Sequence, residues 1–132
     1  MASAKDIMKT NVLSAAVDAD IYEAIRTMVA SNVTGLPVVD EAGLLVGVVT
    51  EKDVLTLLYN IEDRPGQVAD FMTPEVVAFE EDTDLVAIAE SLCRNDFRRV
   101  PILRQGKLVG IVSRKDVIRH IKEARLNLKV LV

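Results

Sequence analysis

Residues 45–55 read LVGVVTEKDVL, and residues 108–118 read LVGIVSRKDVI. Seven of the eleven aligned pairs are identical, and every other pair except Glu51/Arg114 is conservative. Shorter matches occur at nearly the same offset, namely Asp6-Ile7-Met8 with Asp70-Phe71-Met72 and Pro37 with Pro101. A match of this length and spacing indicates an internal duplication, so the chain consists of two copies of a unit of roughly sixty residues.

Both copies show the same succession of patterns. A short lead-in helix ends near Met8 or Met72, and a brief strand follows, around residues 13–17 or 77–81. An amphipathic helix then starts near Asp20 or Asp84, and its apolar positions recur at +3, +4, +7 and +8. The stripes predicted to be buried are Ile21, Ala24, Ile25, Met28 and Val29 in copy one, and Leu85, Ile88, Ala89, Leu92 and Cys93 in copy two.

The second half of each copy is predicted to form a hairpin and a helix. A proline-initiated strand (36–39) and a Gly-containing turn precede an apolar strand at 44–49, or at 108–112 in copy two. The continuous apolar runs predict strands covered on both faces. A final helix is expected to start at Thr50 or Ser113.

The fold class predicted from these patterns is α/β (α+β). It comprises two β-α-β-β-α repeats packed with pseudo-twofold symmetry, because one repeat alone has too little core to be stable. The predicted divisions are residues 1–60 for the first repeat, 61–67 for a linker, 68–122 for the second repeat and 123–132 for an apolar C-terminal tail.

Composition excludes several classes of protein. The 132-residue chain is 50% hydrophobic with a mean hydropathy of +0.26, which excludes intrinsic disorder. One cysteine excludes an intrachain disulfide framework and a cysteine-rich metal site. Neither an apolar run of the ~20 residues that cross a bilayer nor a secretory signal is evident, so we expect a cytoplasmic protein without membrane contact.

Charge is distributed unevenly along the chain. Residues 1–96 carry six basic and eighteen acidic side chains, whereas residues 97–132 carry ten basic and two acidic ones. An anionic ligand would therefore be attracted to structure built by the last third. Uneven surface charge without any ligand is the alternative, and the sequence leaves both open.

Two tetrapeptides, Thr50-Glu51-Lys52-Asp53 and Ser113-Arg114-Lys115-Asp116, each follow an apolar strand and open a helix. They match a capping box, in which the hydroxyl and the acid cap the first helical turn. They also suit a ligand, because a carboxylate can accept two hydrogen bonds from a vicinal diol such as a ribose, and a helix start favours anions. The pattern alone permits both interpretations.

The chain resembles a tandem pair of CBS domains, also called a Bateman module, over residues 4–122. The resemblance rests on the residues of both copies, which are Met8 and Met72, residues 35–39 and 99–103, residues 45–49 and 108–112, and the two hydroxyl-x-x-Asp tetrapeptides. It implies a regulatory module that binds AMP, ADP, ATP or S-adenosylmethionine in the cleft between the repeats and signals in trans. It implies no catalysis and no required cofactor.

The resemblance also implies roles for individual residues. Asp53 and Asp116 would hold the ribose hydroxyls, and Thr50 and Ser113 would contact ribose or phosphate. Phosphate would face the two positions before the Leu-Pro or Val-Pro step. These implied phosphate and adenine contacts are Thr34, Gly35, Arg98 and Arg99 for phosphate, and the backbone near Leu13, Val77, Val38 and Ile102 for adenine. Only copy two offers guanidinium groups, which can bind phosphate oxygens in pairs. The alternative is that Arg98 and Arg99 lie on the surface or pair with the acidic run 80–82.

Three other functions are weighed against an adenosyl sensor. A ligand-free dimerisation scaffold fits the apolar composition and the apolar tail, and a homodimer is expected in either case, with an unidentified effector protein. Nucleic-acid binding through the basic C-terminal third is disfavoured, because the chain lacks the aromatic side chains on which bases stack. An enzyme is disfavoured, because the sequence offers no nucleophile–base pair and no metal cluster. His120 has no companion ligand, and Cys93 is expected to be buried. Lys52 and Lys115 repeat between copies, and either solvation or ligand contact explains them.

Overall fold

The chain folds into two compact units that are offset from the sequence repeats. The computed structural model describes residues 1–59 and 66–131, with side chains through residue 127. Leu13–Val76 form a contiguous unit, and Met1–Val12 together with Val77–Val132 form a split unit. The lead-in segment of each repeat therefore packs with the body of the other repeat. Of the predicted linker 61–67, only Gly66 and Gln67 lie within the described residues.

The contiguous unit contains a three-stranded sheet covered by one long helix. Its elements in chain order are β1 (Ala15–Ala16), α2 (Ile21–Ser31), β2 (Gly35–Val39), β3 (Leu45–Thr50), α3 (Glu51–Leu55) and the 3₁₀ helices Thr56–Leu58 and Val68–Asp70. The sheet order is β1-β2-β3, with a parallel and then an antiparallel pair. Asp20 caps α2 by accepting a hydrogen bond from the Tyr22 N–H (2.8 Å).

The split unit repeats that architecture. Its elements are α1 (Ala4–Ile7), β4 (Phe79–Glu80), α4 (Leu85–Arg94), β5 (Arg99–Arg104), β6 (Lys107–Ser113) and α5 (Arg114–Leu131). The order β4-β5-β6 again combines a parallel and an antiparallel pair. Asp84 caps α4 through the Val86 N–H (2.8 Å). The predicted repeat order and the α/β class are confirmed.

Each unit has its own aliphatic core, which includes a residue from the lead-in of the other repeat. Val68 is fully buried in the contiguous unit, and Ala4 is fully buried in the split unit. Pro37 and Pro101, in β2 and β5, are also buried. Each lead-in is therefore held in its unit by a residue that is buried in the core of that unit.

Both long helices bury a narrower stripe than the sequence predicted. The buried residues are Ile21, Ala24 and Met28 in α2, and Leu85, Ile88 and Leu92 in α4. Val29 is 76% exposed and Cys93 is exposed, so the prediction that they are buried is wrong. The +8 position lies about 80° around the helix axis from the first residue, on the side opposite to +3 and +7, so it falls outside the buried stripe.

The apolar strands β3 and β6 are only partly covered on their second face. Gly47 and Val49 are buried in β3 while their neighbours are half-buried, and β6 alternates in the same way at Gly110 and Val112. The predicted coverage of both faces is therefore wrong, and the strands show the alternation of a sheet with one core face.

The segment predicted as an apolar tail (123–132) continues α5 as far as Leu131, and Leu126 is 50% exposed. Within residues 1–59 and 66–131, no helix combines the length and apolarity needed to cross a bilayer.

Candidate functional site

Each unit has a polar corner where its last strand meets the following helix. In the contiguous unit the Asp53 corner consists of Thr50, Asp53 and Thr73. The Thr50 backbone N–H donates to Asp53 Oδ2 at 2.7 Å, and the Thr50 hydroxyl donates to the same oxygen at 3.0 Å. The capping box is thus formed, and it occupies one carboxylate oxygen. Among the described residues, the hydrogen-bond partner of the other oxygen, Oδ1, is the Thr73 hydroxyl at 3.5 Å.

In the split unit the Asp116 corner consists of Ser113, Asp116, Lys9 and Arg119. The Ser113 N–H donates to Asp116 Oδ2 at 2.9 Å, and the Asp116 N–H donates to the Ser113 hydroxyl at 3.2 Å. Cationic groups approach the other carboxylate oxygen, Oδ1, with Arg119 Nη1 at 3.3 Å and Lys9 Nζ at 3.9 Å. The Asp116 side chain is 2% exposed, so these ion pairs accompany a buried carboxylate.

The lead-in segments supply the third residue of each corner through matching backbone bonds. Lys9 exchanges two backbone hydrogen bonds with Ile111 (3.0 and 2.9 Å), and Thr73 exchanges two with Val48 (2.8 and 2.9 Å). Val48 and Ile111 are aligned positions of the duplication. Lys9 and Thr73 therefore occupy equivalent places beside Asp116 and Asp53.

The residues predicted to face phosphate lie at the first position of the strand next to each corner or directly before it. Arg99 is the cross-strand partner of Ser113, and Gly35 is the partner of Thr50. One residue earlier, the Arg98 carbonyl accepts from the Arg114 N–H (2.9 Å), and the Thr34 carbonyl accepts from the Glu51 N–H (3.0 Å). The predicted groups Arg98/Arg99/Ser113/Asp116 and Thr34/Gly35/Thr50/Asp53 are thus each assembled within one unit.

The acidic run at 80–82 does not pair with Arg98 or Arg99. Glu81 instead forms a two-fold ion pair with Arg104, at 2.7 and 3.0 Å, and Glu80 accepts from the Gln105 N–H. The Arg104 hydrogen bonds hold the pKa of Glu81 below its usual range. Arg98 and Arg99 are exposed, and neither forms an ion pair with any residue that the structure describes.

The residues predicted to border adenine fall into two kinds. Val38 and Ile102 are fully buried, so neither their side chains nor their backbone is exposed in this structure, and their role beside adenine stays a prediction. Leu13 and Val77 are 43% and 47% exposed, and they precede β1 and β4, which pair with the strands of Val38 and Ile102.

Sequence reasoning missed Lys9, Thr73 and Arg119. Lys9 and Thr73 directly follow the aligned segments that end at Met8 and Met72, so extending that alignment by one residue would have identified them. Arg119 lies three residues after Asp116 on α5, a spacing at which helical side chains meet.

A separate groove lies between α4, α5 and the N-terminus of the split unit. It has a volume of about 510 Å³, is mainly apolar, and is lined by residues that include Leu85, Ala89, Cys93, Val117 and Ile121. His120 also lines it. Among the described residues, no group of three or more potential metal ligands is present.

Comparison with known proteins gives a family match over both repeats. The CBS-domain family model matches residues 4–60 and 68–123. The protein MJ1225 of Methanocaldococcus jannaschii is 36% identical over 115 residues, covering 87% of this chain but only 41% of that protein. The chain therefore spans less than half the length of this relative.

Solved structures of CBS pairs are also similar. The Arabidopsis thaliana protein CBSX2, in its complex with AMP, superposes with a TM-score of 0.83 at 30% identity, covering 95% of this chain and 99% of that one. The CBS pair of protein MJ0100, in complex with 5′-methylthioadenosine and S-adenosylmethionine, gives a TM-score of 0.75 at 27% identity, with 94% and 98% covered. From the duplicated sequence, the twin capped corners and these matches, we conclude that the chain belongs to the CBS-domain family and contains two tandem CBS repeats.

Proposed function

We propose that this chain is a regulatory module that binds an adenosyl ligand and transmits its occupancy to a separate effector protein. The observation that carries the proposal is the state of the two carboxylates. In each corner the Oδ2 oxygen of the aspartate accepts the hydrogen bond of the helix cap, which fixes the orientation of the carboxylate. The other oxygen, Oδ1, is not used by the cap. An oriented carboxylate oxygen suits the hydroxyls of a ribose.

The proposed ligand contacts follow from the layout of each unit. Asp53 and Asp116 accept from ribose hydroxyls, and Thr50 and Ser113 contact ribose or phosphate. Thr34, Gly35, Arg98 and Arg99 face phosphate, and the backbone at Val38 and Ile102, with Leu13 and Val77, borders adenine. AMP, 5′-methylthioadenosine and S-adenosylmethionine in the neighbouring structures support this ligand class, because all three contain adenosine.

A thermal-shift panel with AMP, ADP, ATP, S-adenosylmethionine and NAD tests the proposal. A compound present at about 100 times its dissociation constant stabilises the folded chain by about 2.7 kcal/mol, so a binding compound gives a clear rise in Tm. If none of the adenosyl compounds raises Tm, the sensor function is refuted and the ligand-free scaffold is favoured.

The site assignment has its own test. Asp116→Ala is expected to abolish binding at the Asp116 corner while leaving the fold intact. Asp82→Ala, which removes an exposed carboxylate of the same unit outside the corner, is the matched control and should bind as the original chain does. Unchanged stoichiometry and affinity in Asp116→Ala would contradict the assignment.

We further propose that the chain forms a homodimer, through the apolar surface of α4 and α5 in the split unit. Val86, Ile118 and Ile121 on these helices are each about 60% exposed (59%, 63% and 61%) and border or continue the apolar groove. Light scattering is expected to give twice the 14.5 kDa chain mass. Ile121→Glu, which introduces a charge on this surface, should yield the single-chain mass, whereas a dimer that persists would exclude this surface.

The proposed role is regulatory and not catalytic, with no required cofactor and a cytoplasmic location. Incubation with ATP should therefore leave the nucleotide intact when the mixture is analysed by chromatography. Steady release of ADP or AMP that survives repurification of the protein would contradict this part of the proposal.

A further inference from the structure

We infer that the two corners select different ligands. The Asp116 corner binds adenosyl compounds that carry a 5′-phosphate, and the Asp53 corner binds those whose 5′ substituent is uncharged or cationic. This inference rests on the proposed function, because it divides the adenosyl ligand class between the two corners. It is carried by the side chains that the duplication places at equivalent positions.

The lead-in position provides the first contrast. Lys9 and Thr73 form the same pair of backbone bonds to aligned strand residues, so their side chains emerge at equivalent points. Lys9 Nζ lies 3.9 Å from Asp116 Oδ1, whereas the Thr73 hydroxyl lies 3.5 Å from Asp53 Oδ1. A cation in one corner is thus replaced by a neutral hydroxyl in the other.

The helix position three residues after the carboxylate provides the second contrast. Arg119 occupies it in α5 and contacts Asp116 Oδ1 at 3.3 Å, while Thr56 occupies it at the end of α3. At the first position of the neighbouring strand, Arg99 corresponds to Gly35, and one residue before the strand Arg98 corresponds to Thr34. The Asp116 corner therefore has a cation at four positions where the Asp53 corner has none.

The two remaining charged positions do not offset this difference. Lys115 and Lys52 are both lysines, so they contribute equally to the two corners. The Arg114 guanidinium is already engaged within the unit, since it donates to the carbonyls of Leu92 and Asn95 at 3.1 and 2.8 Å. Its counterpart Glu51 is an exposed carboxylate, which adds negative charge near the Asp53 corner.

The ion pairs of Asp116 give a physical reason for selectivity. Lys9 and Arg119 both contact Oδ1, the carboxylate oxygen that a ribose would use. A ribose must compete with these cations for that oxygen. A phosphate on the same ligand compensates, because the two cations can exchange the carboxylate for phosphate oxygens. Their side chains are 63% and 56% exposed and so remain free to move.

In the Asp53 corner no cation at the equivalent positions competes with a ribose for Oδ1, and none is there to bind a phosphate. Its Oδ1 faces one long hydroxyl contact, so a ribose displaces little. A phosphate there finds no cation at the four positions and lies near Glu51. A thioether or sulfonium group at the 5′ carbon meets no such repulsion. The expected preference is about ten-fold in affinity at each corner, the size of one charge-assisted hydrogen bond.

The test measures AMP and 5′-methylthioadenosine by calorimetry at low salt, because screening weakens contacts of exposed cations. The Asp53→Ala variant retains the Asp116 corner, and the Asp116→Ala variant retains the Asp53 corner. In Asp53→Ala we expect AMP to bind about ten times more tightly than 5′-methylthioadenosine. In Asp116→Ala the order should reverse, and the same order in both variants overturns the inference.

A residue exchange between the corners tests the determinants with both carboxylates intact. Lys9→Thr with Arg119→Thr should weaken AMP about ten-fold and leave 5′-methylthioadenosine unchanged or tighter. A merely structural role of Lys9 and Arg119 would weaken both compounds alike, which would overturn the inference. The reciprocal exchange, Thr73→Lys with Thr56→Arg, should tighten AMP at the Asp53 corner.

The outcomes separate the inference from the proposed function. Binding of both compounds with equal affinity at both corners refutes the division of ligands but leaves an adenosyl-binding module. If neither AMP nor 5′-methylthioadenosine binds to the original chain, the inference is overturned, and the thermal-shift panel decides separately whether the proposed function stands.

Discussion

The contiguous unit and the split unit share a backbone, but they differ in the side chains that surround their carboxylates. In both units a bulge shifts the hairpin register directly after the buried strand residue, at Val38/Val39 and at Ile102/Leu103. In both, an aspartate caps the long helix and a lead-in residue bonds to the last strand. Backbone geometry has thus been retained after duplication, while the charge of side chains at equivalent positions has diverged, because the shared backbone bonds do not depend on side-chain identity.

The largest expected effect concerns the contact between a strand glycine and the lead-in methionine. A Cβ at Gly47 would lie 2.7 Å from Met72 Sδ and 2.9 Å from the Thr73 carbonyl oxygen, which two backbone bonds hold in place. The three atoms nearest to a Cβ at Gly110 all belong to the Met8 side chain, with Cγ at 2.8 Å, and a flexible side chain yields more readily than backbone. Gly47→Ala should lower the free energy of unfolding by about 3 kcal/mol and Gly110→Ala by about 1 kcal/mol.

Urea denaturation of the two glycine variants measures this difference. Equal losses would mean that the lead-ins of the two units are held with equal rigidity, contrary to the contacts described.

A second expected effect concerns the counter-ions of the buried carboxylate. Lys9→Ala with Arg119→Ala leaves Asp116 buried without a cation, and should lower the free energy of unfolding by about 1–2 kcal/mol. In the contiguous unit, Thr73→Ala removes only a 3.5 Å hydroxyl contact and should cost less than about 0.5 kcal/mol. Thermal denaturation compares the two.

The control for the counter-ion experiment neutralises the carboxylate. Asp116→Asn added to the Lys9→Ala, Arg119→Ala background should recover part of the lost stability, since the buried charge is gone. A further loss of stability in this triple variant would show that the cations act through another contact.

A third experiment tests whether the helix caps of the two units contribute equally to stability. Asp20 and Asp84 each cap a long helix with a 2.8 Å bond from the second helical N–H. Asp20→Ala and Asp84→Ala should each lower the free energy of unfolding by about 1 kcal/mol. A difference larger than about 0.5 kcal/mol would show that the two backbones are less alike in energy than in geometry.

The smallest expected effect is a pH dependence in the split unit. The Glu81 carboxyl has its pKa lowered by hydrogen bonds from Arg104, and its usual value is 4.5. The folded state therefore binds this proton less readily than the unfolded state. The stabilisation is complete well above pH 4.5 and is lost as the pH falls through the lower folded-state pKa.

Denaturation of the original chain and of Arg104→Ala across this range checks the effect. The difference in stability between the two should shrink as the pH falls below 4.5. A difference that stays constant with pH would mean that Arg104 stabilises the fold by packing alone. The contiguous unit offers no equivalent pair, because Asp40, at the position aligned with Arg104, accepts from the N–H groups of its own hairpin turn.

Much of the fold could be predicted because its signals are local. The hydroxyl-x-x-Asp tetrapeptide predicted the helix starts, since a capping box needs only four consecutive residues. The hairpins followed from turn residues between apolar runs, and the structure has positive φ at Gly43 and Gly106 in those turns. The outward placement of Val29 and Cys93 was not predictable from spacing, because the apolar period does not say how wide a stripe of the helix the rest of the fold covers.

The sequence by itself determined that the chain is a duplication, where its helices and hairpins begin, and which carboxylates lie at the strand ends. These are decided by hydrogen bonds between near neighbours and by the apolar period. Tertiary structure alone decided that each lead-in packs with the other repeat. Lys9 therefore reaches Asp116, more than a hundred residues away. That pairing arises from burial of Ala4 and from strand bridging at Ile111, and neither interaction is encoded in the residues around Lys9.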